Sequence, residues 1–306
     1  MNELTMLRTL REDVSEPTSD QLAPAFTKLT HAMQAPKRRR GPRARWILAG
    51  AAGAAVLTLV GGNAAMAAES AEAASALRAL ANETINFTDP ASGQYLLSRT
   101  HADWLIESTQ AGGTIDRQMN EQIIEVYMPT DPDAPWVMYR DWRANVPGDE
   151  ETLRAADGNF YGDYPSPVAD LSDIPTNSGA EALAYFDAQY TGGNKSRDED
   201  NFDRITDVLA TGLVPADLRA ALFEALALIP GVSSTADVEN YDGKLGIAIG
   251  RTEFLRGGQR QEIIVDPATG LVIGERDLYT VAVFGFGVNE VVGHTAIETT
   301  VAETAP

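Results

Sequence analysis

Apolar residues recur every three or four positions in two short stretches at the start of the chain. This spacing places them on one face of a helix, so it predicts two short amphipathic helices within residues 1–35. A break over residues 15–20, which contains Pro17 and several N-cap residues, separates them. The first stripe is Leu4, Leu7, Leu10 and Val14, and the second is Leu22, Phe26, Leu29 and Met33.

Two such helices bury little surface between themselves and need further support to be stable. Two interpretations stay open. In one, the apolar stripes dock on a cytoplasmic protein; in the other, the segment is a loosely ordered tail that rests on the anionic inner leaflet. The candidate docking residues are Leu4, Leu7, Leu10, Leu22, Phe26 and Leu29.

A run of 23 residues without any charged side chain follows, from Trp46 to Ala68. As a helix it would be about 34 Å long, enough for a hydrocarbon core of about 30 Å. Thirteen of the 23 residues are Ala or Gly, so the run is long enough but only moderately apolar. It predicts a transmembrane helix over residues 46–68.

The remaining residues, 69–306, alternate between two kinds of pattern. Strand-like runs at 94–107, 117–128 and 136–142 precede a Pro-rich loop at 144–177. Three helical stripes come next: one after Ser178, one that includes Phe202, and one that begins at Pro215. Strand-like runs return at 244–254, 259–265, 271–283 and near 291–301.

This order of strands, helices and strands predicts an α+β domain. We expect one curved, half-barrel-like antiparallel sheet of six or seven strands with the helices packed on one face. That face either holds an apolar ligand or is simply a filled core.

Charge is distributed unevenly around the apolar run. Residues 1–45 have nine basic and five acidic side chains, whereas residues 69–306 have 15 basic and 39 acidic ones, within a total of −20. The positive-inside rule therefore places the N-terminus in the cytoplasm and the acidic domain outside, in a single-pass protein of the cell membrane. The residues that set this topology are Lys37, Arg38, Arg39, Arg40, Arg43 and Arg45, with Trp46 as an interfacial anchor.

Two alternatives compete with a retained anchor. Ala65-Met66-Ala67 fits the small-residue pattern at which signal peptides are cleaved. The approximately 45 residues before the apolar run are far longer than a usual signal-peptide n-region. The other alternative is an Ala-rich helix buried in a protein core.

Candidate chemistry is sparse. The chain has no cysteine, which excludes disulfides, thiolate metal sites and Cys nucleophiles. Its acidity disfavours nucleic acid as a partner. The three histidines, His31, His101 and His294, are far apart in sequence. The acidic clusters at 131–133, 149–151 and 198–200 lack the spacing of a calcium loop, so we interpret these clusters as solvated loop charge. We expect no catalytic residues, no cofactor and no metal, hence a protein that is not an enzyme.

Several short motifs resemble an actinobacterial family of single-pass membrane proteins named after a locus tag. They include the opening Glu3-Leu4 with Leu7 and Leu10-Arg11, then Leu228-Ile229-Pro230-Gly231-Val232, Gly243-Lys244-Leu245-Gly246 and Asp266-Pro267-Ala268-Thr269-Gly270. The resemblance implies a cytoplasmic stub, one span and an outer domain, with no assigned activity. It also implies a gene often found beside an extracytoplasmic-function sigma factor.

These observations lead to one functional hypothesis and one alternative. The chain is expected to be a non-catalytic envelope sensor or binding protein, coupled to a cytoplasmic partner such as a sigma factor in an anti-sigma-like role. The alternative is a lipid- or lipoprotein-binding half-barrel carrier of the cell envelope. The chain then divides into a stub (1–45), a transmembrane helix (46–68) and an extracytoplasmic domain (69–306).

Overall fold

The computed structural model describes residues 61–109, 113, 115–144, 146–162, 171–193 and 195–306. The predicted stub helices, the basic cluster and residues 46–60 of the predicted span lie outside these ranges. Within them, no helix has both the length and the apolar character needed to cross a lipid bilayer. The transmembrane helix therefore stays a prediction.

The described residues form an α+β domain around one antiparallel sheet, which confirms the predicted fold class. The strands follow the order β4-β3-β2-β1-β9-β8-β7-β6-β5, so two meanders meet where β1 pairs with β9. Their bounds are β1 (Tyr95–Thr109), β2 (Ile115–Pro129), β3 (Trp136–Asp141), β4 (Glu150–Ala155), β5 (Val232–Glu239), β6 (Leu245–Glu253), β7 (Gln259–Val265), β8 (Val272–Tyr279) and β9 (Glu290–Ala302).

The sheet has nine strands in the described residues, so the prediction of six or seven is wrong. The two unpredicted strands, β4 and β5, form the two edges of the sheet. An edge strand buries few side chains: β4 has no buried residue, and β5 buries only Val232 and Val238. Their sequences are correspondingly polar, which is why the apolar pattern does not reveal them.

Four α-helices accompany the sheet in the described chain: α1 (Gly61–Asn82), α2 (Gly179–Asp187), α3 (Arg197–Ala210) and α4 (Ala216–Leu226). Ser178 caps α2 by accepting a hydrogen bond from the Glu181 backbone N–H. A reciprocal capping box lies at the start of α3, between Ser196 and Glu199.

Helix α1 starts within the predicted span and continues into the predicted outer domain. It buries Ala73, Leu77 and Leu80, which lie on one face because they are four and three positions apart. With this face it packs against α4 and β5. The C-terminal half of α1 is therefore part of the domain core.

The core lies between the helices and one face of strands β5–β8. Phe202, Leu222 and Leu226 from α3 and α4 pack in the same cluster as Ile249 and Ile263 from the sheet, and all are almost fully buried. The interface expected either to hold an apolar ligand or to be filled is, in these strands, a filled core. A second, smaller cluster lies on the opposite face: Val238, Ala248, Ile264 and Ile273.

The sheet is curved, as predicted, and two hydrogen bonds of the turn after β5 reveal this curvature. The Tyr241 backbone N–H donates to the Thr295 carbonyl of β9 at 3.1 Å, although three strands separate β5 from β9 in the sheet. The preceding Asn240 donates from Nδ2 to the Ile273 carbonyl of β8 at 2.6 Å. We call Asn240 and Tyr241 the wedge, because they insert between β8 and β9.

Candidate functional site

Four carboxyl side chains face one another between helix α3 and strand β8. Asp203 and Asp207 are one helical turn apart, and Glu275 and Asp277 alternate along the strand, so each pair shares a face. Glu275 is paired in register with the core residue Ile263, which places its side chain on the helix-covered face of the sheet. We call Asp203, Asp207, Glu275 and Asp277 the acidic crevice.

Burial and mutual repulsion raise the pKa values in the crevice. Burial first, and then the charges of Asp277 and Asp207, raise the pKa of Glu275 to about 8. Burial and the nearby carboxylates likewise raise the pKa of Asp277 to about 6 and that of Asp207 to about 6. Glu275 is therefore mostly protonated at neutral pH, and its carboxyl group is able to donate a hydrogen bond.

The crevice is deep but open to solvent. Asp207 has an exposed surface, and Glu275 and Asp277 are partly exposed, although the helix layer and the sheet surround them. Such a position combines a raised pKa with access for a ligand. Perturbed carboxyl groups in a cleft are a recognised sign of a functional site.

Asp203 is the most deeply buried member, with 6% of its surface exposed. Its Oδ2 accepts a hydrogen bond from the Lys195 ammonium group, but its Oδ1 has no hydrogen-bond partner. Burial raises the pKa of Asp203 even though Lys195 acts in the opposite direction. Asp203 also lines a cavity of about 100 Å³ whose other lining residues are all charged or amide side chains: Lys195, Glu199, Glu253, Arg256, Gln259 and Gln261.

This cavity adjoins the rest of the crevice, because Gln261 is the register partner of Asp277. Its size corresponds to about three water molecules at their share of the liquid volume. A buried acceptor without a partner costs free energy unless a donor satisfies it. The unpaired Oδ1 of Asp203 is therefore an open position for a hydrogen-bond donor.

An aromatic side chain borders the crevice on the side of β1. A Cβ atom on Gly293 would lie 3.2 Å from both Asp277 Oδ2 and Trp104 Cδ1. The missing side chain thus allows the carboxylate and the indole to approach each other. On the same face of the sheet, Arg140 donates to Gln122 Oε1 at 2.7 Å and lies 3.4 Å above the Trp142 ring.

The two histidines in the described ranges, His101 and His294, lie near each other on the face of the sheet opposite the acidic crevice. Tyr241 lies between them, with ring centroids 4.7 Å from His101 and 5.7 Å from His294. The His101 ring nitrogens contact Asp242 at 2.6 Å and Glu121 at 2.8 Å. Burial alone would lower the pKa of His101, but these two hydrogen bonds outweigh it and raise the pKa. Burial lowers the pKa of His294.

No group of three or more His, Asp or Glu side chains in the described ranges is arranged to hold a metal ion. Among the acidic clusters seen in the sequence, Asp149 pairs with Arg143, and Asp131 accepts from the Asp133 backbone N–H at 3.0 Å. The interpretation of 198–200 as solvated loop charge is wrong, because these residues form the first turn of α3. Glu199 there is buried and paired with Arg256.

The residues singled out from the sequence and the residues of the crevice do not overlap. Those singled out lie outside the described ranges: the docking residues Leu4, Leu7, Leu10, Leu22, Phe26 and Leu29, and the topology residues Lys37, Arg38, Arg39, Arg40, Arg43, Arg45 and Trp46. The sequence contained only a weak indication of the acidic crevice. Glu275 and Asp277 occupy inward positions of a strand, where alternation calls for apolar residues.

We expect Glu275→Gln to stabilise the fold increasingly as the pH rises from about 4.5 to about 8. Between these values the unfolded chain releases the Glu275 proton while the folded chain retains it, so the wild type loses stability as the pH rises. The substitution removes this loss, which is on the order of 4 kcal/mol at the upper end. Urea unfolding at a series of pH values measures the difference.

Glu83→Gln, a change at an exposed glutamate just after α1, is the matched control. Its stability relative to the wild type should not follow the same pH dependence. A stability difference for Glu275→Gln that stays constant over this pH range would contradict a protonated Glu275.

Comparison with known proteins adds no assignment to this geometry. No protein-family model, curated protein sequence or solved structure matches the chain.

Proposed function

We propose that residues 69–306 are the extracytoplasmic binding domain of a single-pass membrane protein, and that the acidic crevice binds a ligand with an ammonium or guanidinium group. The observation that carries this proposal is the set of mutually repelling carboxyl groups in an accessible crevice. A cation placed among them would relieve the repulsion and favour their charged forms.

Three features of the site support a cationic group. The Lys195 ammonium already bonds to Asp203 Oδ2, so this chemistry fits the geometry of the site. Asp203 Oδ1 is left as a buried acceptor that a second donor would satisfy. Trp104 supplies an aromatic surface beside Asp277, and aromatic rings attract cations. The proposed role is binding, in which the carboxyl groups hold the ligand by charge and hydrogen bonds without any chemical step.

The alternative of a lipid or lipoprotein carrier requires an apolar cavity between sheet and helices. In the described residues, packed side chains fill this space between the helices and strands β5–β8, except at the acidic crevice and its adjoining cavity. The cavity that adjoins the crevice is lined by charged and amide side chains. These observations favour a polar ligand over a lipid.

The sequence supports the membrane position of the domain. The uncharged run of residues 46–68, six basic residues before it and the acidic domain after it are typical of a single span with a cytoplasmic N-terminus. In this arrangement the domain, with 39 acidic and 15 basic residues, lies outside. Acidic character there keeps the domain away from the anionic membrane surface and attracts cationic ligands.

The stub completes the proposal as the part that contacts the cytoplasm. We propose that its two apolar stripes dock on a cytoplasmic protein, with the neighbouring sigma factor as the partner implied by the family resemblance. The support is the helical spacing of the candidate residues Leu4, Leu7, Leu10, Leu22, Phe26 and Leu29.

The first prediction of this proposed function concerns the ligand. The full chain in detergent micelles is expected to bind spermine, and to bind it more tightly as the pH rises from about 6 to about 9, because the crevice carboxyl groups then ionise. Near neutral pH, binding should release protons. Calorimetric titration in buffers of different ionisation enthalpy measures both the affinity and the proton release.

Asp277→Asn and Asp207→Asn should each weaken spermine binding by about tenfold, equivalent to about 1.4 kcal/mol. Asp116→Asn, which removes an exposed charge on β2, is the matched control for general attraction to an acidic domain. Equal weakening by all three substitutions would show that spermine responds to net charge and not to the crevice.

The second prediction concerns topology, and the lack of cysteine makes it simple to test. Single cysteines replace Ser19 in the stub and Thr300, which is exposed on β9. A membrane-impermeant maleimide added to intact cells is expected to label Thr300→Cys but not Ser19→Cys until the cells are permeabilised. Labelling of Ser19→Cys in intact cells would reverse the orientation, and release of Thr300→Cys protein from the membrane would indicate signal-peptide cleavage.

The third prediction concerns the stub. In a pull-down with the neighbouring sigma factor, Leu7→Asp and Phe26→Asp should each reduce capture of the full chain by at least about tenfold, because they place a charge in an apolar interface. Thr9→Asp adds the same charge outside the stripes and is the matched control. Specific docking is excluded if all three variants are captured as well as the wild type.

A further inference from the structure

Strands β8 and β9 separate halfway along their length. They pair at four positions, from Tyr279 opposite Glu290 to Arg276 opposite His294. Beyond this point β9 continues to Ala302 in register with β1, while the first half of β8 stays paired with β7. The ladder therefore opens into a gap in the middle of the sheet.

The wedge lies at the point where the gap begins. Asn240 Nδ2 reaches the Ile273 carbonyl of β8, and the next residue donates its backbone N–H to the Thr295 carbonyl of β9. One stretch of chain is thus bonded to both strands at once. Gly274 permits this fit, because a Cβ atom there would lie 2.3 Å from the Thr295 oxygen and 2.9 Å from Asn240 Cβ.

A cavity of about 320 Å³ continues from the wedge along the gap. One wall is Leu271 with Val272 and Ile273 at the start of β8, and the other is Ala296–Thr299 of β9. The turn residues Asn240, Asp242 and Lys244 lie at the wedge end, with Arg99 nearby. We call this cavity the strand slot.

The direction of the backbone groups on β9 follows from one observation. The Thr295 carbonyl points towards β8, so the pairing of Thr295 with Ala102 of β1 is of the non-hydrogen-bonded kind. Bonded and non-bonded pairs alternate along an antiparallel ladder, and this register has no irregularity. Ile297 and Thr299 therefore also direct their N–H and C=O groups away from β1, into the strand slot.

These groups have no ladder partner in the part of the chain that the structure describes, since the β8–β9 pairing ends at His294. The edge of β9 in the slot is therefore an unpaired strand edge, which is a template for another extended chain. Peptide-binding domains use such edges to add one strand to a sheet.

We propose that the strand slot binds an extended segment of another polypeptide, which pairs with β9 through Ile297 and Thr299. Two residues with both backbone groups available bond to a segment of about four residues. The buried side chains of Val272 and Ile297 form part of the floor of the slot. Because successive side chains of a strand point to opposite faces, every second side chain of the bound segment faces this apolar floor, and we expect those side chains to be apolar. This surface is separate from the acidic crevice, and the inference does not depend on the proposed function.

Hydrogen exchange of the full chain in detergent, resolved to single amides by mass spectrometry, tests the inference. In the free chain the amides of Ile297 and Thr299 should exchange faster than those of Ala296 and Glu298, which face β1. Millimolar acetyl-Thr-Val-Thr-Val-Thr-amide should slow exchange at Ile297 and Thr299 by at least about tenfold. The same peptide with every backbone nitrogen methylated should give no protection, because the methyl groups remove its backbone N–H donors and keep it from pairing with the edge of β9.

A pair of variants separates backbone pairing from side-chain effects. Thr299→Pro removes the N–H that points into the slot and leaves the β1 ladder without a lost bond, so it should weaken peptide binding by at least about tenfold. Thr299→Val retains the N–H and should bind as the wild type does. Slow exchange of both amides in the free chain, or equal protection by the methylated peptide, would overturn the proposal, and these two measurements need no variant.

Discussion

The rest of the domain depends on how the turn after β5 is held between β8 and β9. Asn240 bonds to β8 and Tyr241 bonds to β9, although β5 belongs to the far edge of the sheet. The sheet must curve for both bonds to form. Gly274 makes the close approach possible, because any side chain there would collide with the Thr295 carbonyl. This single insertion fixes the curvature, opens the gap between the strands and brings Tyr241 between the two histidines.

The curved sheet then distributes charge between two faces. On one face, β8 presents Glu275 and Asp277 to helix α3, where burial and repulsion raise their pKa values. On the other face, Glu262 pairs with Arg276, and His101 is held between two carboxylates. The contrast lies in the partners: on the second face the Glu262 carboxylate has two arginine partners, Arg260 and Arg276, whereas the crevice carries more acid than base. Uncompensated buried charge costs stability, and sites that keep it are commonly functional.

The sequence was informative wherever one face of an element is buried. The stripes that contain Phe202 and Leu222 predicted α3 and α4, and the alternation around Ile263 predicted β7 with its observed bounds. It was uninformative for β4 and β5, because an edge strand gains its order from pairing and buries few apolar side chains. The candidate site shows the same limit, since Asp207 and Glu275 become neighbours only when α3 lies across β8.

By itself, the sequence determined the α+β class, the order of the helices and of the seven strands other than β4 and β5, and an uncharged run flanked by charges of opposite sign. These are local properties, set by the periodicity of apolar residues and the position of charge along the chain. Only the tertiary structure decided which residues meet: the four carboxyl groups of the crevice, the two histidines around Tyr241, and the unpaired edge of β9. The physical reason is that strand order and register bring together groups distant along the chain, and local pattern carries no record of which strand lies beside which.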